Sequence, residues 1–300
     1  MQDCKEIDDA LRLLNELYLS TGGGDTDKRV FDIGVLRKSP LELFKAARRK
    51  LFKDYPKKWD GDNTGAIITD DSLECTGRMA VYSCMVGSYD DIKEPIFRFP
   101  DTDYYMVTDG SVPCNSAWTK IDINGITATK GLDNIRKARY VKTHPHILFP
   151  DYEYSIWVDA NIRIVGDLRK YIRYLGSTIP FASNWHPSRN CIFDERKACS
   201  FASKGNTREM KSQVADYKEK GMPRHYGLIE TNVIVRRHSD ERVISLMEDW
   251  FDEIQRHSTR DQLSLPFVLW RAGYKLSDVG FICSQIRENP DFIVTGHSKR

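Results

Sequence analysis

The stretch Tyr152 to Ile164 reads YEYSIWVDANIRI. Its first half, Tyr154 to Val158, is aromatic and β-branched and holds no Gly or Pro. Such a run predicts a strand buried on both faces, the kind a parallel or mixed sheet puts at its centre. Asp159, Ala160 and Asn161 follow where that strand would leave the sheet, and in open α/β sheets ligands collect outside the carboxyl ends of the strands. If the backbone stays extended through Ala160, Asp159 and Asn161 project to one side, because side chains alternate with period two. Both then offer oxygen to a hard divalent cation such as Mg²⁺ or Mn²⁺, which completes its shell with water and phosphate. The same Asp suits a plain loop or helix cap, so the surrounding chain has to decide.

Three hundred residues, 40% of them hydrophobic and 11% aromatic, are enough for one large α/β domain or two ordinary ones. Forty-five basic against 43 acidic side chains leave a net charge of only +2, which gives no overall attraction to nucleic acid. No run of about 18 apolar residues is present, and the first residues are too acidic for a secretory signal, so the reading is of a soluble, cytosolic chain. The seven cysteines, at 4, 75, 84, 114, 191, 199 and 283, form no C-x-x-C pair and read as reduced thiols.

Upstream, residues 3–19 carry Ile7, Leu11, Leu14 and Tyr18 at helical spacing, ahead of a Gly22-Gly23-Gly24 break. A second amphipathic helix over 40–55 is surrounded by Lys45, Arg48, Arg49, Lys50, Lys53, Lys57 and Lys58. Residues 40–58 therefore fit either a solvated face or a peripheral contact with an anionic membrane surface. Residues 59–77, rich in Gly, Asp, Asn and Thr, read as a linker, which divides the chain into a helical extension over 1–77 and a domain over 78–300. From Met79 the texture is that of an α/β sheet: strands at 79–86, 104–108 and 118–121, with Gly87 and Asp109-Gly110 closing the first two.

Asn134 to His144 carries Arg136, Arg139 and Lys142 at i, i+3 and i+6, which drift by only about 60° around a helix and form one cationic ridge. Such a ridge suits phosphate or sugar oxygens, or a surface paired with acids. Beyond the central strand, a short helix over 167–174 and a strand over 179–183 precede the polar and aromatic loop Asn184 to Arg189, where His186 and Arg189 are candidates for substrate contact. Phe193 to Lys220 reads as one charged helix. Val233 to Val235 predicts a buried strand with Glu230, Thr231 and Asn232 at its entrance, and residues 240–257 an amphipathic helix. Arg260-Asp261-Gln262 opens the last helix, where the helix dipole favours an anion.

Taken in order, VYSCMVGSYDDIKEP, DYYMVTD, IRKARYVKTHPHILFPDYEYSIWVDANIRI, HPSRNCIFDE, YGLIETNVIVRR and RDQLSLPFVLW resemble a plant and bacterial glycosyltransferase-like family that includes proteins linked to seed-mucilage pectin. The likeness runs from Ala80 to Trp270, and more distantly the layout is similar to glycogenin-like enzymes of the GT-A fold. It implies a GT-A-like mixed α/β sheet flanked by helices. It makes Asp159 and Asn161 the positions of a metal-binding D-x-D, with His297 as the late histidine. Arg136, Arg139 and Lys142 become donor-binding residues, and Asp261 and Glu230 the candidate catalytic carboxylates. His186, Arg189, Thr231, Asn232 and Gln262 would line the substrate pocket. One departure is that Asn161, a neutral oxygen ligand, stands where the second acid is expected, which weakens metal binding or shifts it to Asp159, His297 and the diphosphate.

The implied reaction moves a sugar from a nucleotide-diphosphate donor, a UDP-sugar, to a hydroxyl of a glycan or lipid-linked glycan, assisted by Mn²⁺ or Mg²⁺. Two other readings stand beside it. One is a metal-dependent, ceramidase-like hydrolase built on Asp159, His297 and His186, against which the lack of a His-rich metal pattern argues. The other is a nucleotide-sugar or glycan-binding domain without catalysis.

Overall fold

The computed structural model describes residues 67–87 and 90–295. The helices expected over 3–19 and 40–55, the basic face within 40–58, and His297 lie outside the described residues. Residues 67–77 form no regular element.

In chain order the strands are β1 (Met79–Met85), β2 (Thr102–Thr108), β3 (Thr119–Asp122), β4 (Tyr154–Val158), β5 (Ile162–Ile164), β6 (Phe181–Trp185), β7 (Ile229–Arg237), β8 (Gly280–Cys283) and β9 (Phe292–Val294). Seven of them form a mixed sheet in the order β3-β2-β1-β4-β7-β6-β8, in which only β7 runs against its neighbours. The apolar run that opens the quoted stretch is thus the middle strand, buried along its whole length. Alternation sends Trp157 to one core, with Tyr82 and Ile234, and Ile156 and Val158 to the other, with Val81 and Val233. That double burial is why the segment shows no polar alternation.

The helices are α1 (Asn134–Thr143), α2 (Pro145–Leu148), α3 (Ile192–Phe201), α4 (Thr207–Glu219), α5 (Glu241–Arg256) and α6 (Asp261–Arg271). α5 buries Val243, Leu246, Met247, Trp250 and Ile254 on the Trp157 side of the sheet, together with Leu265, Val268 and Leu269 of α6. α3, α4 and the start of α6 share a satellite core around Tyr217 and Phe267. Among the described residues no helix is long and apolar enough to cross a membrane.

Four expectations are corrected. The single helix over 193–220 is two, because the chain breaks at Ser203 and Gly205, both at positive φ, and Asn206 caps α4 through the amides of Arg208 and Glu209. The helix over 167–174 is a 3₁₀ turn over Arg169–Tyr174. Asn184 and Trp185 belong to β6, not to a loop. Glu230, Thr231 and Asn232 lie inside β7 rather than at its entrance.

β7 also carries an irregularity. Phe181 and Ala182 pair with Arg236 and Val235, but the next pair is Asn184 with Glu230. Ser183 alone stands against Thr231 to Ile234, and its hydroxyl lies 2.6 Å from Glu230 O and 2.7 Å from Val233 O, filling the gap in the ladder.

Candidate active site

The site assembles where β4 ends. The Asp159 amide donates to Asn232 O of β7 at 2.8 Å, and its carbonyl accepts from the Ile162 amide at 2.9 Å. The chain therefore turns at Asp159, and the extended spacing expected between Asp159 and Asn161 does not form. Asp159 Oδ1 accepts from Trp157 Nε1 at 2.7 Å and lies 3.4 Å from Lys142 Nζ. Both contacts fall on Oδ1; Oδ2 takes no hydrogen bond from the described residues, and the side chain is 33% exposed. Asn161 engages the C-terminal segment instead, its Nδ2 donating to Thr295 O at 3.3 Å and its carbonyl accepting from the Thr295 amide and hydroxyl.

Asp261 differs in every respect. It opens α6 and is buried, with Oδ2 accepting from Lys142 Nζ at 2.7 Å and from the Thr231 hydroxyl at 2.9 Å, while Oδ1 pairs with an Arg139 Nη at 3.3 Å. Burial works to raise its pKa, but Arg139, Lys142 and Arg260 outweigh it and hold the carboxyl far below the ordinary range. Its backbone carbonyl accepts from Trp250 Nε1 of α5 at 3.1 Å, which fixes the start of α6.

The ridge on α1 points into this group. Lys142 is 1% exposed, and its carbonyl, in the last turn of α1, accepts from Arg236 Nη1 at 2.8 Å and from Tyr82 Oη at 3.0 Å. Arg139 also donates to Thr259 O at 3.3 Å. Arg136, at the outer end, binds Asp133 and the His257 carbonyl at the end of α5. Arg139 and Lys142 against Asp159 and Asp261 make a formally neutral cluster. The inner ridge thus faces a buried carboxylate, with which both Arg139 and Lys142 pair.

On β7, Glu230 and Asn232 lead to a chain of amides. Asn232 Nδ2 donates to Glu230 Oε2 at 3.3 Å, Asn184 Nδ2 donates to Asn232 Oδ1 at 2.9 Å, and the Cys283 thiol reaches Asn184 Oδ1 at 2.9 Å. Burial pushes Glu230 up to about 7, more than Arg287 and Asn232 can offset. Thr231, between the two, turns to Lys142 at 3.1 Å.

His186, Arg189 and Gln262 gather in a different group. His186 Nδ1 accepts from the amides of Ser188 and Arg189 at 3.2 and 3.1 Å, and Nε2 lies 3.4 Å from Glu195 Oε2, which also holds Arg189 Nε at 2.5 Å. Burial drives His186 down to about 4 despite Glu195, so the ring is neutral at pH 7. Gln262 accepts from Arg260, whose guanidinium is 3.7 Å from Glu195. A separate cavity of about 490 Å³, lined among others by Tyr154, Arg237, Arg242 and Gly280, includes none of the carboxylates at the β4 rim.

For a hard cation, Asp159 offers Oδ2 at this rim, and Asn161 carries an amide oxygen two residues further along the turn. They fit one in chemistry: both are oxygens, and one belongs to a part-exposed carboxylate with half its capacity unused. Asp261 does not fit, since both its oxygens are engaged. In the sequence Trp157 reads as core, and Asn184 as one polar residue of a loop. Trp157 was findable, because two residues apart on a strand place the indole and the Asp159 carboxylate on one face.

The family described as "TOD1/MUCI70, glycosyltransferase-like domain" matches residues 117–284. The chain is 26% identical over 239 residues to "Probable hexosyltransferase MUCI70" of Arabidopsis thaliana, covering 69% of this chain and 40% of that protein. It thus spans about 40% of the length of this curated relative. Among solved structures, the apo WbbM bifunctional glycosyltransferase is similar at 12% identity and TM-score 0.44, over 80% of this chain and 46% of that one. The galactosyltransferase LgtC in complex with donor and acceptor sugar analogues is similar at 11% identity and TM-score 0.40, over 68% and 73% of the two chains.

Proposed function

This chain belongs to the TOD1/MUCI70 glycosyltransferase-like family, and from that premise we propose that it transfers a sugar from a nucleotide-diphosphate donor, a UDP-sugar, to a hydroxyl of a glycan or lipid-linked glycan in polysaccharide assembly. The GT-A-like fold belongs to the same proposal. So do the division of the chain at residue 77 and a cytoplasmic reaction held at the inner membrane face by the basic residues of 40–58.

The supporting observation is a division of labour among carboxylates around the end of β4. Glu230, raised to about 7, is balanced between proton donor and acceptor near neutral pH, as a general base should be. Asp261, ionised and doubly paired, is a positioning residue that holds Lys142 and Arg139. As the acceptor oxygen bonds to C1 of the donor sugar, its proton passes to the Glu230 carboxylate. The bond from C1 to the diphosphate oxygen breaks, and its electron pair leaves on the diphosphate. Mn²⁺ or Mg²⁺ would be held by Asp159 Oδ2 and Asn161, with His297 as the proposed third ligand. When bound, such a cation supplies charge neutralisation for the leaving diphosphate and orients the donor. The chain's own contribution is to aim Asp159 through Trp157 and Lys142, and to keep the cluster neutral until the donor arrives.

The test is incubation of the full chain with a panel of labelled UDP-sugars and Mn²⁺, with and without glycan acceptors. Donor turnover is expected, and Asp159→Ala should abolish it while the variant still folds cooperatively, its stability lowered by no more than about 1–3 kcal/mol for the Trp157 donor left unmet. The proposal is overturned if wild type leaves every donor intact, or if the Asp159→Ala protein turns donor over at the wild-type rate.

A further inference from the structure

Away from the β4 rim, a second group of side chains converges at the start of α3. Cys191 caps that helix and is buried, Asp194 lies in its first turn, and His225 comes from the loop between α4 and β7. One ligand atom from each lies within 4.8 Å of the other two. We propose that Cys191 Sγ, the Asp194 carboxylate and His225 Nε2 form a binding site for a borderline-soft divalent metal, zinc, separate from the oxygen site at Asp159.

The arrangement around His225 supports this. Asn190 Oδ1 lies 2.6 Å from His225 Nδ1. An amide oxygen only accepts, so the ring proton sits on Nδ1 and Nε2 is the basic nitrogen; an oxygen partner on the second nitrogen is what metal-bound histidines regularly have. His225 holds a left-handed backbone, φ +58°, uncommon for a residue with a side chain. The loop is pinned in place by Gly227, whose amide donates to Asn190 O at 3.0 Å. Three donors of three types come from two segments that the fold already ties together.

The donor set selects the metal. Thiolate and imidazole favour zinc over Mg²⁺ or Mn²⁺. With Zn–S of about 2.3 Å and Zn–N of about 2.0 Å in a tetrahedron, ligand atoms end roughly 3.3 to 3.8 Å apart. Closing from the observed separation takes side-chain rotation of about 1 Å, and three protein ligands leave the fourth position to water. Arg224 pairs with Asp194 at 3.0 and 3.1 Å, but its side chain is 56% exposed, and such a pair competes weakly. On binding, the Cys191 thiol loses its proton to solvent. The bound metal would then clip the loop that carries His186 and Arg189 to the segment that enters β7, five residues ahead of Glu230.

The full chain, stripped with chelator and dialysed against Zn²⁺ or Co²⁺, should retain one equivalent of either metal at this site. The cobalt form should show a thiolate-to-metal charge-transfer band that Cys191→Ser removes. His225→Asn should weaken metal affinity at least tenfold; His225 is exposed and Asn accepts a left-handed backbone, so this variant keeps the fold. Asp159→Ala should leave the band in place. Failure of wild type to retain metal overturns the proposal, as does a band that survives Cys191→Ser or one that disappears with Asp159→Ala.

Discussion

Asp261 and Glu230 are both carboxylates on interior elements, yet their environments drive them in opposite directions. Asp261 has Arg139 and Lys142 on separate oxygens, while Glu230 accepts from the Asn232 amide at 3.3 Å and feels Arg287 too weakly to offset its burial. Asp261→Asn should cost about 3–5 kcal/mol in denaturant unfolding, since it leaves the buried Lys142 and the part-buried Arg139 short of a counter-charge. Glu230→Gln carries the opposite sign for stability. Its pKa is raised from an ordinary 4.5 to about 7, so between those values the unfolded chain gives up a proton that the folded chain keeps. Wild-type stability therefore falls as pH rises through that window and stays low above it. The permanently neutral Gln variant should melt higher than wild type at pH 8 and no higher at pH 4. Turnover should fall about 10²–10⁴-fold in the same variant, the loss expected of a missing general base, and wild-type activity should climb with pH through 7. Equal melting curves at pH 8 would show that folding does not raise the Glu230 pKa. The pairing of Asp261 with Lys142 was not legible in the sequence, because 119 positions separate them and helical spacing says nothing about partners on other elements.

At the scale of elements, β7 is where the sheet gives up regularity to build the site. Its mismatch with β6 lets Thr231 reach Lys142 while Asn232 reaches Asn184, and Ser183 covers the two carbonyls the ladder leaves open. Ser183→Ala should destabilise by about 1–3 kcal/mol, the cost of buried acceptors left unmet, measured by chemical denaturation; an unchanged midpoint would mean that water does the same work. The turn after β1 is similarly constrained: Gly87 has φ +86°, and a Cβ there would come within 2.7 Å of Asn134 Nδ2 at the start of α1. The α1 ridge itself was readable, because three cations at steps of three share a helix face whatever they meet. The break between α3 and α4 was also present in the residues Ser203 to Asn206, but it was masked by strong helix formers on both sides.

Across the whole molecule, one central strand delivers its end to a formally neutral cluster, so on the proposed function a diphosphate arriving alone would find its charge unmatched. Nucleotide and cation should therefore stabilise the chain together. UDP with Mn²⁺ at about 100 times its dissociation constant should add about 2.7 kcal/mol, or about 4 °C in melting temperature for a chain of this size. UDP without Mn²⁺ should do little, and Asp159→Ala should abolish the shift; an equal rise with EDTA present would point to a metal-free donor site. The sequence by itself determined the central strand, the helix with its ridge, the amphipathic α5 and the acid at the strand end, because burial and periodicity are local properties that each segment carries in its own residues. Only the tertiary structure decided that the chain turns at Asp159, that Arg139 and Lys142 of the ridge pair with Asp261, that burial raises Glu230 towards neutrality, and that Cys191 lies near His225. Each of those depends on which distant side chain sits within a few ångströms, and at that range desolvation and Coulomb attraction, not residue type, set charge and reactivity.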